Sequence, residues 1–334
     1  MIIKITLLFI ILNLIILSFK KKLTLNYNVY DLPNKKRKIH KYKTPLIGGL
    51  IFYINFFFFF IISIFDKEIL DSVLIIFTNK SNYYLFFVTS TLVFIVGYFD
   101  DKKDLKANFK LLLLTVIILI LLYFEKSLRI EIINFSFSEK IFTFHQFEFL
   151  FTLFCFLAFI NAFNLFDGIN LQVGIYSSYI FIILYYLSGN VLIFSFFFPL
   201  LIFLFLNFKG KIFLGNSGSY FLSFIIFNFF VYFFKNFQNI TSDQILAIMF
   251  IPGLDMVRLF IFRIFKKRSP FSADKNHIHH KFLVIFGYEK TIFILFIFMI
   301  MPLGIVSILD NKFSLFFALL IYTISILKIK NLIK

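Results

Sequence analysis

Long apolar stretches, each bounded by charged or turn-forming residues, recur along the whole chain. Each stretch is close to the roughly 20 residues that a helix needs to cross a bilayer. The pattern therefore predicts an all-α polytopic membrane protein, with about eleven transmembrane helices in a single integral-membrane domain over residues 1–334. The predicted spans are 2–19, 46–65, 82–99, 109–124, 148–166, 171–187, 190–207, 215–235, 243–265, 290–309 and 313–329.

Two connections between these spans have recognisable local patterns. Ser188, Gly189 and Asn190 separate spans six and seven, and these residue types favour a tight turn. Segment 125–147 alternates apolar and polar residues, as in Arg129-Ile130-Glu131-Ile132, which predicts a short hairpin at the membrane interface.

Composition and charge narrow the class of protein and give an orientation. The chain is 60% hydrophobic and 15% charged, which excludes a soluble globule and a disordered chain, and its one cysteine excludes a disulfide scaffold. Of the 34 basic residues, 26 fall on one side of the predicted topology, so the net charge of +17 indicates topology rather than nucleic-acid binding. We expect the N-terminus outside and the C-terminus in the cytoplasm.

Among the polar segments on the predicted cytoplasmic side, the adjacent pair Asp100 and Asp101 follows the basic 31–49 loop and lies at the end of span three. Adjacent carboxylates repel each other, and near a membrane they need a cation. Magnesium, which is commonly held by carboxylates together with substrate phosphates, is the expected partner. The alternative is a solvated surface pair beside lysines.

A polar stripe follows at the end of span five. Helical spacing would place Asn161, Asn164, Asp167 and Asn170 on one face. Such a stripe at the end of a membrane helix is costly unless it contacts a ligand, an ion or another helix. Hydrogen bonding between helices is therefore the open alternative.

Two further segments carry features that suit phosphate binding. Gly215 and Gly218 allow close backbone approach at the start of a helix whose N–H groups attract anions, and Lys211 lies just upstream. Arginines and histidines then cluster, and a diphosphate explains them better than zinc does, because the surrounding cations would repel a metal. These candidates are Arg258, Arg268, His277, His279 and His280.

Together these pieces predict an active site at the cytoplasmic face of the membrane, with carboxylates for a divalent metal and cations for phosphates. At this point the chain resembles the polyprenyl-phosphate N-acetylhexosamine-1-phosphate transferases, whose members include the undecaprenyl-phosphate GlcNAc-1-phosphate transferases and phospho-MurNAc-pentapeptide transferase. Ordered motifs within residues 31–280 carry the resemblance, and two C-terminal spans follow in 290–334. The motifs are 31–49, Asp100-Asp101, Asn161-x-x-Asn164-x-x-Asp167-Gly168, 213–219, 270–274 and His277-Ile278-His279-His280.

The resemblance implies transfer of a sugar 1-phosphate, GlcNAc-1-phosphate or a related one, from a UDP-N-acetylhexosamine to undecaprenyl phosphate, with release of UMP. It implies Mg²⁺, with Mn²⁺ as a substitute, the bacterial cytoplasmic membrane, a role in starting an O antigen or similar envelope polysaccharide, and leaves a homodimer open. The implied catalytic residues are Asp100, Asp101 and Asp167. The implied metal ligands are Asp167, Asn216 and Asp100, and the nucleotide-sugar would contact Asn161, Asn164, Asn170, Lys211 and the Arg and His cluster.

Two positions depart from the family pattern. The family usually has Asp, a magnesium ligand, where this chain has Asn216, and often Asp-Gly at Asn170-Leu171. Three alternatives therefore stay open beside the main prediction: a phospho-MurNAc-pentapeptide transferase, a catalytically impaired scaffold, and a membrane transporter. A transporter is disfavoured because the charges gather at span ends rather than at span centres.

Overall fold

The structure is a computed structural model that describes residues 1–33, 42–77, 79–236, 241–269, 276–308 and 314–332. Residues 34–41 of the first motif, and the whole 270–274 motif, lie outside these residues. The helices are α1 (Ile2–Ser18), α2 (Lys20–Tyr27), α3 (Gly48–Phe65), α4 (Lys67–Leu74), α5 (Lys80–Lys103), α6 (Ala107–Phe124), α7 (Glu148–Phe166), α8 (Gln172–Ser188), α9 (Val191–Ser195), α10 (Phe197–Phe208), α11 (Gly215–Asn236), α12 (Ser242–Ile248), α13 (Phe250–Phe265), α14 (Ile278–Ile308) and α15 (Ser314–Leu332). The strands are β1 (Tyr30–Asp31), β2 (Thr44–Pro45), β3 (Ile132–Phe135) and β4 (Ser138–Thr143).

Helical structure covers every predicted span in the described part of the chain, which confirms an all-helical polytopic membrane protein. Among the described residues, seven helices are long and apolar enough to cross a membrane, or nine if each of two bent pairs forms one span. The bent pairs are α1 with α2, at 68°, and α12 with α13, at 80°. Helix α8 and the apolar part of α15 are shorter, and α14 is broken at Gly287, where φ is 76°.

Both predicted connections have the expected local structure. Strands β3 and β4 form an antiparallel hairpin within segment 125–147. Gly189 adopts a φ of 60° after α8, and the Asn190 side chain accepts a hydrogen bond from Leu192 N at the start of α9. Glycine and asparagine suit these positions because one tolerates positive φ and the other caps a helix.

The chain divides into two compact units, which we call the first unit (1–126 and 177–226) and the second unit (127–176 and 227–334). In the first unit, α1 and α3 are joined by reciprocal side-chain hydrogen bonds between buried Asn13 and Asn55, at 2.7 and 3.1 Å. Such pairs stabilise helix contacts in a membrane, where an unpartnered amide would be costly. Phe56 is the first of five consecutive phenylalanines (56–60), and it packs as a buried core residue against Phe86 and Phe221.

In the second unit, α7 packs on α13 and α14 packs on α15. The hairpin is fastened to α12 because Ser136 donates hydrogen bonds from its N and Oγ to the Asp243 carboxylate, at 2.9 and 2.6 Å. This unit also contains an apolar cavity of about 540 Å³. Its walls come from α7, α11, α12, α13 and α15, and include Ala158, Phe230 and Gly253.

Candidate active site

Asp100 lies near the end of α5 and is only 1% exposed. Lys110 Nζ and the Tyr220 hydroxyl each donate to its Oδ2 at 2.9 Å, and Leu105 N donates to Oδ1 at 3.0 Å. The Lys110 ammonium compensates the buried charge, as a buried carboxylate requires. Asp100 therefore joins α5 to α6 and α11 within the first unit.

Asp101, the next residue, caps the N-terminus of α11. Its carboxylate accepts hydrogen bonds from Asn216 N at 2.7 Å and Ser217 N at 2.9 Å. Gly215, with φ of 76°, turns the chain into the helix, and a Cβ there would lie 2.6 Å from Asp101 Oδ2. A helix N-terminus attracts negative charge. At the N–H groups of residues 216 and 217, the anion is a carboxylate of the protein itself.

Glycines bring the backbones of three helices together beside this cap. A Cβ on Gly49 of α3 would lie 2.3 Å from Gly218 N, and one on Gly97 of α5 would lie 2.4 Å from Ser217 Cα. Gly48 N and Gly49 N also donate to the carbonyls of residues 213 and 214. The glycine pair that enters α3 thus serves close backbone packing around the start of α11. We call Asp100, Asp101, Lys110, Asn216, Ser217 and Tyr220 the aspartate cluster.

In the second unit, α7 ends one residue before Asp167, so the expected common helical face is wrong for the last two residues of the stripe. Asp167 has φ of −74° and ψ of 69°, and Leu171 has φ of 67°. The Asp-Gly pair ends the helix because these residues favour turns. Asn161 and Asn164 remain on α7, whereas Asp167 and Asn170 belong to the following turn.

Asp255 of α13 gathers donors from three parts of the second unit. Its Oδ1 accepts from Arg258 Nη2 at 2.6 Å and from the Tyr322 hydroxyl at 3.2 Å. Its Oδ2 lies 2.9 Å from His277 Nδ1, and Ile278 N is within 3.2 Å of Oδ1. The carboxylate is 3% exposed and is compensated by Arg258. It fixes the start of α14, where the predicted histidines lie.

His279 is fully buried, and neither of its ring nitrogens has a hydrogen-bond partner among the residues that the structure describes. Its ring packs on Gly168, where a Cβ would lie 1.9 Å from Nε2, and edge-on to Phe166. The imidazoles of His277 and His280 also lie beside it, with ring centroids 5.2 and 4.3 Å away and 6.1 Å from each other. The His segment and the Asp167 turn are therefore in direct contact through Gly168.

The structure thus groups the predicted residues in two places. The first unit holds Asp100, Asp101, Asn216 and the exposed Lys211. The second unit holds Asn161, Asn164, Asp167, Asn170, Arg258, Arg268, His277, His279 and His280. Arg268 is exposed beyond α13 and is not joined to the Asp255 contacts by any hydrogen bond between described residues. We call Asp255, Arg258, His277, His279, His280 and Tyr322 the histidine cluster.

Two groups of described residues carry donor atoms that could bind a metal. Asp255, His277 and His279 offer ligand atoms within 4.8 Å of one another. A cation there would face the Arg258 guanidinium and compete for both Asp255 oxygens, so this trio does not fit a divalent metal as it stands. Asp167 and Asn216 are half-buried and carry the oxygen donors that magnesium prefers. Asp100 would have to exchange the donors now on its oxygens.

Sequence reasoning missed Asp255, Tyr322, Lys110 and Tyr220. Asp255 had a usable signal, because an acidic residue three positions before Arg258 in an apolar helix indicates an ion pair within the membrane. Tyr220 and Tyr322 had none, since their partners come from helices distant in the sequence.

The family model and the relatives that this chain is similar to are all transferases of sugars or sugar phosphates. Residues 83–234 match the family model described as Glycosyl transferase family 4. The undecaprenyl-phosphate alpha-N-acetylglucosaminyl 1-phosphate transferase of Escherichia coli (strain K12) is 28% identical over 277 residues, which cover 79% of this chain and 71% of that protein. The probable undecaprenyl-phosphate N-acetylglucosaminyl 1-phosphate transferase of Bacillus subtilis (strain 168) is 27% identical over 299 residues, covering 86% of this chain and 78% of the relative.

The undecaprenyl-phosphate alpha-N-acetylglucosaminyl 1-phosphate transferase of Thermotoga maritima is 27% identical over 277 residues. The aligned residues cover 81% of this chain and 78% of that protein. Residues 83–234, which the family model matches, include the Asp100-Asp101 pair, the Asp167 turn and the start of α11. These matches, at 27–28% identity, support the resemblance that the motifs predict, to the polyprenyl-phosphate N-acetylhexosamine-1-phosphate transferases.

Proposed function

We propose that the protein transfers a sugar 1-phosphate from a UDP-N-acetylhexosamine, with UDP-GlcNAc as the first candidate, to undecaprenyl phosphate, and releases UMP. The observation that carries the proposal is the histidine cluster, where Arg258 and three imidazoles meet the Asp167 turn of a chain related to transferases of this kind. An arginine and imidazoles beside a carboxylate offer the donors and acceptors that suit a nucleotide diphosphate with a bound cation.

The proposed reaction is an in-line displacement. An oxygen of the lipid phosphate forms a bond to the β-phosphorus of the donor, and the bond from that phosphorus to the bridging oxygen breaks, so that UMP leaves. A phosphate monoester is already largely ionised near neutral pH, because its second pKa is about 6. The work of the site is therefore positioning and charge neutralisation more than proton removal.

The residues divide this work. Arg258, Arg268, Lys211 and the histidines bind donor phosphates, and Asn161, Asn164 and Asn170 contact the nucleotide-sugar. Asp100, Asp101 and Asp167 are the proposed catalytic carboxylates. The proposed magnesium ligands are Asp167, Asn216 and Asp100; magnesium or manganese held there would supply positive charge that offsets the charge of the donor phosphates.

We further propose that the apolar cavity of the second unit accepts part of the prenyl tail. Its volume of about 540 Å³ and its apolar walls suit a branched hydrocarbon chain. We propose that the chain crosses the inner membrane eleven times, with its N-terminus outside and its active site on the cytoplasmic face. The reason is that the basic residues concentrate in the loops that this topology places in the cytoplasm.

The test uses purified protein in detergent with undecaprenyl phosphate, magnesium and a panel of UDP-N-acetylhexosamines, with UMP release as the readout. We expect release that needs both the lipid and the metal, with UDP-GlcNAc preferred. Preference for UDP-MurNAc-pentapeptide would instead identify the protein as a phospho-MurNAc-pentapeptide transferase of peptidoglycan synthesis. A folded sample that binds the lipid but releases no UMP with any donor would contradict the proposal.

A further inference from the structure

The last helix of the chain contributes a residue to the histidine cluster. Tyr322 lies on α15 and is 6% exposed. Its hydroxyl accepts a hydrogen bond from Arg258 Nε at 3.0 Å and donates one to Asp255 Oδ1 at 3.2 Å. A hydroxyl is suited to this place between a cation and an anion because it both accepts and donates. Tyr322 lies well beyond the motifs of residues 31–280.

Asp255 and Tyr322 bind only part of the Arg258 guanidinium, and Asp255 binds only one nitrogen of the His277 ring. Arg258 uses Nε and Nη2 for Asp255, Tyr322 and the Asn276 carbonyl, whereas Nη1 bonds to no residue that the structure describes. His277 uses Nδ1 for Asp255, and its Nε2 likewise bonds to no described residue. The Arg258 side chain is 23% exposed, so its hydrogen bonds fix its position while part of the guanidinium stays accessible.

This division of contacts is typical of residues that orient other residues. A carboxylate on one nitrogen of an imidazole fixes the ring and determines which nitrogen is left for a ligand. An arginine held at Nε and one Nη keeps a defined direction for the other Nη. Asp255 and Tyr322 thereby orient one nitrogen of Arg258 and one of His277 before a ligand binds. These side chains then lose little conformational entropy when the ligand binds.

We propose that Asp255 and Tyr322 are positioning residues for the donor's diphosphate, and that α15 is therefore part of the donor site. The inference rests on the proposed function and adds to it two residues that do not touch the reacting atoms. Because they act through Arg258 and His277, their loss weakens binding of the UDP-sugar and leaves the lipid site unchanged.

The first test is Tyr322→Phe, which removes one oxygen and keeps the ring packed edge-on to Phe250. Loss of a buried hydroxyl that serves two charged groups corresponds to about a tenfold change in equilibrium. We expect the KM for the UDP-sugar to rise about tenfold, with kcat within about twofold and the KM for undecaprenyl phosphate unchanged. The matched control is Tyr186→Phe on α8, because Tyr186 is 88% exposed.

The second variant is Asp255→Asn, which removes the charge that compensates Arg258. We expect a larger rise in donor KM than with Tyr322→Phe, and again no change in lipid KM. The concentration of UMP that half-inhibits each variant should rise in the same order, which is a readout that general destabilisation would not produce. Melting temperatures identify any variant whose fold is lost, and Asp255→Asn keeps the inference testable if Tyr322→Phe does not fold.

The outcomes separate the two proposals. If the unchanged protein releases UMP in a lipid-dependent way and Tyr322→Phe and Asp255→Asn keep its donor KM, the positioning role is wrong and the transferase stands. A fall in kcat with both KM values unchanged would also overturn it. Absence of lipid-dependent release from the unchanged protein would overturn the transferase and, with it, this inference.

Discussion

In the first unit the buried carboxylates accept hydrogen bonds from donors of the protein itself, whereas in the second unit Arg258 and His277 each keep a nitrogen that bonds to no described residue. Asp100 is bound by Lys110 and Tyr220, and Asp101 by the first N–H groups of α11. Arg258 and His277 share Asp255, yet each retains one nitrogen. The contacts of the aspartate cluster therefore hold helices together, whereas under the proposed function the open nitrogens of the histidine cluster bind the donor's diphosphate.

Charge-neutral changes in the two units give the largest contrast. Asp100→Asn and Asp167→Asn should each lower turnover by at least about 100-fold, the scale of losing a main electrostatic contributor. Asp100→Asn should also lower the free energy of unfolding by about 1–2 kcal/mol, because it leaves the partly exposed Lys110 without its carboxylate. Asp167→Asn keeps the size of the side chain in a half-buried turn, so its effect on the free energy of unfolding should be smaller.

Turnover and melting temperature measured on both purified variants check this contrast. Near-normal turnover in either one removes that carboxylate from the mechanism. Equal melting temperatures for the two would mean that the Asp100 contacts do not stabilise the first unit.

Gly168→Ala tests the contact between the Asp167 turn and the His segment. The added Cβ would lie 1.9 Å from His279 Nε2, so the ring must move. We expect donor KM to rise by roughly 10- to 50-fold, since a displacement of about 1 Å in a binding site is costly. Gly253→Ala is the matched control in the same unit, because a Cβ there meets no atom within 4 Å. Equal donor KM values in the two variants would contradict the contact.

Gly253→Leu tests the apolar cavity. Position 253 lines the cavity and has open space for a side chain, so leucine can fill part of the volume without displacing the backbone. If the prenyl tail occupies this space, the KM for undecaprenyl phosphate should rise about tenfold while donor KM stays constant. Gly253→Ala should keep both values. An unchanged lipid KM in the leucine variant would locate the tail elsewhere.

The sequence predicted the helices well because a membrane span is fixed by local composition, and the hairpin of segment 125–147 because alternation is also local. It extended the polar stripe beyond Phe166, since spacing of threes continues through Asp167 and Asn170 while the Asp-Gly turn ends the helix. The contacts of Lys110, Tyr220 and Tyr322 depend on how distant helices pack, and no spacing in one sequence encodes that. Asp100 and Asp101 were found as a pair, but their different partners required the tertiary structure.

Asn216 offers the smallest expected effect and the finest test of how the aspartate cluster relates to metal binding. Its backbone N–H is already bound to Asp101, so a substitution at the side chain leaves the helix cap in place. Asn216→Asp replaces a neutral carbonyl oxygen by a carboxylate, which magnesium binds more strongly.

We expect the magnesium concentration for half-maximal UMP release to fall by a few fold, and direct Mn²⁺ binding followed by electron paramagnetic resonance to tighten in parallel. Asn216→Ser, which is neutral like the native residue, serves as the control. A metal titration that is the same in all three proteins would mean that position 216 is not a ligand, and that the start of α11 serves the fold alone.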